Sequence, residues 1–225
     1  MNRTPRDSFI DLSHEIEDGM ITYKGLPAPK IASYLSREES RSHYSGGTEF
    51  FIGTINMVAN TGTYLDTPFH RYDNGKDLSE IGLWTLANIE GVLIKAPNTE
   101  TRRIDATRFQ SVDVRHKAVL IETNWDKYWR TDKYFEEHSY LTADAADYLV
   151  DRGATLVGID SLNIDDTTDG MRPVHTKLLG AGVPIVEHLC SLDRLPLTGF
   201  KFFAVPPKVK GLGTFPVRCF ALVPK

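Results

Sequence analysis

The sequence predicts one mixed α/β domain, rich in strand, over residues 1–225. Three observations carry that expectation. Several apolar runs of about four or five residues have the length and character of buried strands. One well-marked helix, opening near Asp144, leads directly into such a run and so forms an α-to-β unit. No internal repeat, low-complexity tract or Pro/Gly/Ser-rich linker marks a second domain.

Taken in order, residues 9–12 form a candidate first strand, and residues 49–57 alternate well enough for another. The runs 91–94, 118–121 and 156–160 read as buried strands. Between the last two, Thr142 supplies a helix N-cap, Ala145, Ala146, Leu149 and Val150 an apolar stripe, and Gly153 a C-terminal stop. A shorter helix is expected from Leu78 and Ser79, and a single turn over residues 191–195. Strands at 202–205 and 218–223 close the core.

Composition excludes several classes of partner. There are 26 Lys and Arg against 30 Asp and Glu, a net charge of -4, and no dense basic block. Nucleic acid and anionic membrane are therefore not expected as partners, and a small-molecule substrate is. The most basic stretch, residues 201–210, is broken by Phe202, Phe203, Val205, Pro206 and Pro207 and reads as strand and loop. No apolar run approaches the roughly 20 residues that cross a bilayer. Residues 1–7 lead into no hydrophobic signal core, so a cytoplasmic protein is expected. The two cysteines, Cys190 and Cys219, are expected to be buried free thiols, because a disulfide framework needs more of them.

Two regions concentrate residues that bind metals or move protons. In residues 60–70, Asp66 and His70 emerge from an extended or irregular segment turned at Gly62 and bent at Pro68. A carboxylate and an imidazole beside Gly and Pro suit a loop that presents side chains to a ligand. The simpler alternative is that Asp66 caps a turn and His70 is an ordinary half-buried histidine. In residues 175–187, Leu178, Leu179, Val183, Ile185 and Val186 bury the segment, and Glu187 follows an Ile-Val strand. A carboxylate there must pair, protonate or bind a cation. A salt bridge to Arg218 or Lys177 is the structural alternative. Asp160, at a strand end, is a further candidate.

Together these segments resemble the metal-dependent cyclase family, which includes the kynurenine formamidases and isatin hydrolase. The family pattern His-x-Gly-Thr-His-x-Asp-x-Pro-x-His is matched in register by Gly62, Thr63, Asp66, Pro68 and His70. Asp11-Leu12-Ser13-His14, Tyr23-Lys24-Gly25-Leu26-Pro27 and Leu120-Ile121-Glu122-Thr123-Asn124-Trp125 resemble other family segments. So do residues 158–161, residues 175–187 and the closing Gly213-Thr214-Phe215-Pro216-Val217-Arg218.

The resemblance implies a compact fold with a β-barrel-like sheet and flanking helices, assembled as dimers or higher homo-oligomers. It also implies that Asp66, His175 and Glu187 hold a divalent metal and that His70 is the general acid/base. Both motif histidines that would complete another metal site are replaced here, by Asn60 and Tyr64. An amide oxygen is a weak ligand for zinc, and a phenol binds well only as phenolate, so one ion is expected, Zn or Mn. The kynurenine formamidase reaction in particular is not expected, because the replaced residues lie beside that chemistry's metal.

The activity this implies is hydrolysis of an amide, formamide, lactone or cyclic imide. In it, Tyr64 donates to the oxyanion and Asn60 orients it. Tyr23, Phe50, Phe69, Trp84 and Trp125 are candidate walls for a planar substrate. A metal-independent lyase or cyclase using His70, Tyr64 and Asp66 is the alternative that the lost histidines favour. A non-catalytic binding protein is a third, opposed by the retention of Asp66, His70, His175 and Glu187 together.

Overall fold

The computed structural model describes residues 7–97 and 101–224. Residues 1–6 of the N-terminal stretch, where no signal core is expected, lie outside the described residues. The strands are β1 (Asp7–Asp11), β2 (Lys30–Leu35), β3 (Ile52–Asn56), β4 (Tyr64–Asp66), β5 (Ile89–Lys95), β6 (Arg103–Ile104) and β7 (Lys117–Glu122). They continue as β8 (Tyr140–Leu141), β9 (Leu156–Ile159), β10 (Ile185–Glu187), β11 (Thr198–Phe203), β12 (Thr214–Pro216) and β13 (Phe220–Pro224). The α-helices are α1 (Arg37–Ser40), α2 (Ala143–Asp151) and α3 (Pro173–Gly180).

Nine strands form one sheet in the order β1-β13-β11-β5-β7-β9-β10-β4-β12, strongly curled into a half-barrel with few helices. Its centre is parallel: β5, β7, β9 and β10 run side by side. Parallel strands covered on both faces need apolar side chains on both, which is why they stand out as continuous runs. On one face Val92, Val119, Ile121, Val157 and Ile159 pack with Ala145, Ala146 and Leu149 of α2 and Leu178 and Leu179 of α3. On the other, Leu12, Leu93, Leu120, Val186, Phe200 and Phe202 form the interior of the curl. Among the described residues no helix is long and apolar enough to cross a membrane.

Several elements differ from expectation for local reasons. Thr142 is the N-cap residue of α2, but its hydroxyl donates to the Ile104 carbonyl instead of capping the helix. Gly153, at φ +75°, does end that helix, a conformation costly for any residue with a Cβ. No helix starts at Leu78: Asp77 Oδ1 accepts from the backbone N–H groups of Ser79 and Glu80, and Oδ2 from Gly211, so an aspartate turn replaces it. The strand expected over residues 49–57 is β3, paired only with β2 in a separate ribbon. That ribbon exposes Ile31, Tyr34, Ile52 and Ile55. Cys219 is buried as expected, whereas Cys190 is half-buried, with burial pushing its thiol up to about 11.

Candidate functional site

Three short strands assemble the site by their register. Side chains at i and i+2 on a strand share a face, so Tyr64 and Asp66 point the same way from β4. Antiparallel pairing sets Glu187 of β10 opposite Tyr64, and Thr214 of β12 opposite Asp66. Residues 60–70 are therefore not simply a loop. Asp66 ends a fully buried strand held on both edges, and only the part from Pro68 to His70 leaves the sheet, as a 3-10 turn. Thr67 anchors that turn by donating its backbone N–H and its hydroxyl to the Gly213 carbonyl. A Cβ on Gly213 would sit 2.2 Å from the His70 nitrogen, so the close approach of turn and strand requires glycine there.

His175 arrives from another direction, on the first turn of α3. Asp165 accepts from the backbone N–H groups of Val174 and His175 at 2.7 and 3.0 Å, capping the helix. The same carboxylate accepts the His175 Nδ1 hydrogen at 2.7 Å. That bond orients the ring and turns Nε2 toward the other carboxylates of the site. Nε2 lies 3.7 Å from Asp66 Oδ2 and 3.7 Å from Glu187 Oε1.

The carboxylates around His175 dominate the electrostatics. Burial disfavours its charge, but the hydrogen bond to Asp165 and the nearby carboxylates of Asp66 and Glu187 outweigh this and raise it to about 10. Burial pushes Glu187 up to about 7, although His175 draws it the other way. Glu187 has no cation of the kind suggested by its sequence. Arg218 pairs with Asp11 and Lys177 with Asp147. Glu187 instead accepts from the Tyr64 hydroxyl at 2.6 Å, the Ile164 backbone N–H at 2.7 Å and Asn163 Nδ2 at 3.2 Å.

His70, about one-third exposed, sits at the boundary between this buried cluster and the cavity. The Thr214 hydroxyl donates to Asp66 Oδ1 and lies 2.8 Å from His70 Nδ1. A hydroxyl has one hydrogen, so with that hydrogen on Asp66 it accepts from Nδ1–H. His70 Nε2 is then the basic nitrogen.

A divalent ion fits these residues. Asp66 Oδ2 is buried with no hydrogen-bond partner among the described residues, an arrangement that costs free energy unless something cationic takes it up. Ligand atoms of Asp66, His70 and His175 all lie within 4.8 Å of one another. Glu187 Oε1 approaches the same imidazole from the opposite strand.

Tyr64 is fully buried, and burial together with the charges of Glu187 and Asp66 holds its phenol well above 10, hence protonated. Its hydrogen is committed to Glu187, and Asn60 hydrogen-bonds the same phenol. Asp160, the other candidate carboxylate, lies apart from this cluster, bonded to Thr123 and Asn124.

The site opens into a cavity of about 690 Å³. Of the five aromatics proposed as its wall, only Tyr23 lines it. Trp125 is core, Phe50 and Trp84 are solvent-exposed, and Phe69 is half-buried outside the cavity. Missed in the sequence were Thr214, Asp165, Asn163 and Arg172. Thr214 lies in the closing segment 213–218, but a hydroxyl has no spacing signature, and Asn163 and Asp165 fall just beyond residues 158–161. Arg172 adopts a left-handed backbone, φ 48° and ψ 56°, which only the folded chain reveals.

The Putative cyclase family model matches residues 10–166. Kynurenine formamidase from Bacillus thuringiensis subsp. konkukian is 24% identical over 219 residues, covering 93% of this chain and 95% of that protein. A solved structure described as a potential metal-dependent hydrolase with cyclase activity superposes with a TM-score of 0.79 at 26% identity, covering 97% of this chain and 99% of that one. Isatin hydrolase A from Labrenzia aggregata shares the fold, with a TM-score of 0.82 at 20% identity over 100% of this chain and 96% of that one. With more than half of its length matched by the family model and its barrel-like fold shared with these structures, the protein belongs to the cyclase family and is a hydrolase of that family.

Proposed function

We propose that this hydrolase cleaves an amide, formamide, lactone or cyclic imide with one divalent ion, Zn or Mn, held by Asp66, His175 and Glu187. The observation that carries the reading is the idle, buried Asp66 Oδ2, which faces Nε2 of His175 at 3.7 Å. When bound, the ion supplies Lewis-acid polarisation of the acyl carbonyl and makes water a nucleophile near neutral pH.

The chain's own residues do the rest. Asp165 accepts from Nδ1 and so holds the His175 ring with Nε2 toward Asp66 and Glu187. Thr214 accepts from Nδ1 of His70, whose Nε2 takes the proton of the attacking water and returns it to the leaving nitrogen or oxygen. Tyr64, protonated and bonded to Glu187, holds that carboxylate in place. If Glu187 turns toward a cation, the phenol hydrogen is released toward the cavity that Tyr64 lines, where it can donate to an oxyanion. Asn60 orients the phenol in either state.

The test is metal content by plasma mass spectrometry on tag-free protein purified without chelators, with Asp66→Asn beside it. About one Zn or Mn per chain, lost in the variant, is expected. Two ions would mean that Asn60 and Tyr64 serve as ligands. One observation favours a second reading, a metal-independent lyase: both Glu187 oxygens already have donors. Protein that takes up neither Zn nor Mn yet turns over a substrate would decide for it.

A further inference from the structure

The cavity wall carries charge of one sign. Lys24, Arg71 and Arg172 line it, and the only carboxylate that does so is Glu187 at its floor. Glu187 is fully buried, with both oxygens engaged. A ligand entering the cavity therefore meets cations first, on a protein whose net charge is -4.

Two of these cations lack acidic partners. Among the described residues neither Arg71 nor Arg172 forms an ion pair, whereas Lys24 has Asp132 at 3.5 Å. Arg71 directly follows His70. Its Nε donates to Thr176 Oγ1 at 3.3 Å and its guanidinium lies over the Tyr72 ring. Both contacts steady the side chain and leave its terminal nitrogens available. Arg172 stands three residues before His175. It is half-buried, and Nη1 donates to Asn163 Oδ1 at 3.2 Å, the amide whose Nδ2 in turn donates to Glu187.

Arg172 also holds a left-handed backbone, which is unfavourable for a residue with a Cβ. Strain of this kind persists where the surroundings fix a side chain for a purpose. Each imidazole segment thus brings an arginine to the cavity. A guanidinium keeps two parallel N–H donors that match the two oxygens of a carboxylate.

We propose that the substrate is anionic: an amide or imide carrying a carboxylate separate from the bond that is cleaved, which Arg172 and Arg71 bind. This rests on the hydrolase reading for the reaction but not for the binding. Arg172 is the stronger of the two, because it is less exposed and tied into the site through Asn163. The carboxylate fixes the scissile carbonyl relative to His70, and neutral analogues bind without that anchor.

The test compares N-formylanthranilate with formanilide, which share the formyl–nitrogen bond and differ by one carboxylate. In Arg172→Gln and Arg71→Gln the ratio of kcat/KM for the anionic over the neutral substrate is expected to fall about 10–100-fold each, carried by KM, as for loss of a hydrogen bond to a charged group. Arg172→Lys should recover part of it. A ratio that moves less than about threefold in both variants, against that 10–100-fold expectation, overturns the proposal.

If wild type hydrolyses neither compound, the hydrolase reading is what fails, and the subsite is read from equilibrium binding of anthranilate and aniline. A preference for anthranilate that is lost in Arg172→Gln supports the subsite. Equal affinities overturn it. Salt gives an independent check, since an exposed anion contact weakens as the Debye length shrinks.

Discussion

Asp66 and Asp160 make an instructive pair. Asp66 ends β4, which borders the half-barrel's parallel centre, Asp160 directly follows β9 within it, and both are almost completely shielded from solvent. Around Asp160 every acceptor is used. Oδ1 and Oδ2 take the Thr123 backbone N–H at 2.8 and 3.0 Å, and Oδ2 takes that of Asn124 at 2.9 Å. The Thr123 hydroxyl adds a fourth contact to Oδ1. Around Asp66 only Oδ1 is served, by Thr214, while Oδ2 faces His175. A buried carboxylate with every lone pair used pins two chain segments together. One with an idle oxygen aimed at an imidazole keeps capacity for a ligand. The difference lies in the neighbours, not in the residue or its place in the strand.

The sharpest way to break this contrast is at His70. His70→Ala is expected to lower kcat by about 10²–10⁴-fold while the thermal midpoint holds, since the ring is partly exposed and packs little. Full turnover in that variant would remove the proton-transfer role.

At the other carboxylate the expected effect is on stability. Asp160→Ala leaves the Thr123 and Asn124 N–H groups without acceptors, at about 1–3 kcal/mol each, measured by urea unfolding. Metal bound per folded molecule should not change. The carboxyl also carries a pH signature. Burial pushes Asp160 up to about 7 from an ordinary 3.8, so folding favours its neutral form. Its contribution is complete below the unfolded value and is lost as pH rises through about 7. The wild-type urea midpoint minus that of Asp160→Asn should therefore fall across that window. A difference that rises instead would reverse the assignment.

Smaller effects test the residues that orient the imidazoles. Asp165→Asn should weaken metal affinity about 10–100-fold, read by competition with a chromophoric chelator. Unchanged affinity would mean that the His175 ring is oriented by other contacts. Thr214→Val should cost about tenfold in kcat, a loss that Thr214→Ser recovers. A flat response would detach Thr214 from His70.

Some of this was legible along the chain and some was not. The parallel strands could be read because burial on both faces leaves no alternation to confuse them, as in β7 with Ala118, Val119, Leu120 and Ile121 all buried. The ribbon's first strand, β2, gave no such signal, because almost every residue in it is exposed. The turn at Asp77 was mistaken for a helix start, since the same aspartate can cap either and its partner Gly211 is remote in sequence. Among the acids, strand-end position singled out Asp160, while Asp165, five residues on, orients His175. Spacing does not distinguish them, because the Asp160 donors come from the loop after β7, and the Asp165 donors from the first turn of α3.

By itself the sequence determined the strand-rich α/β class, the family and the residue types of the site, because apolar runs, a helix stop and motif spacing are local properties of the chain. Only the tertiary structure decided which of those residues meet. The pairing of β4 with β10 and β12 sets Tyr64 against Glu187 and Asp66 against Thr214, and the docking of α3 brings His175 to both. It also decided that, among the described residues, Asp66 keeps an oxygen without a donor and two arginines stand over the cavity without acids to neutralise them. Both facts depend on what lies within a few ångströms in space, and the chain brings those atoms together from segments more than a hundred residues apart.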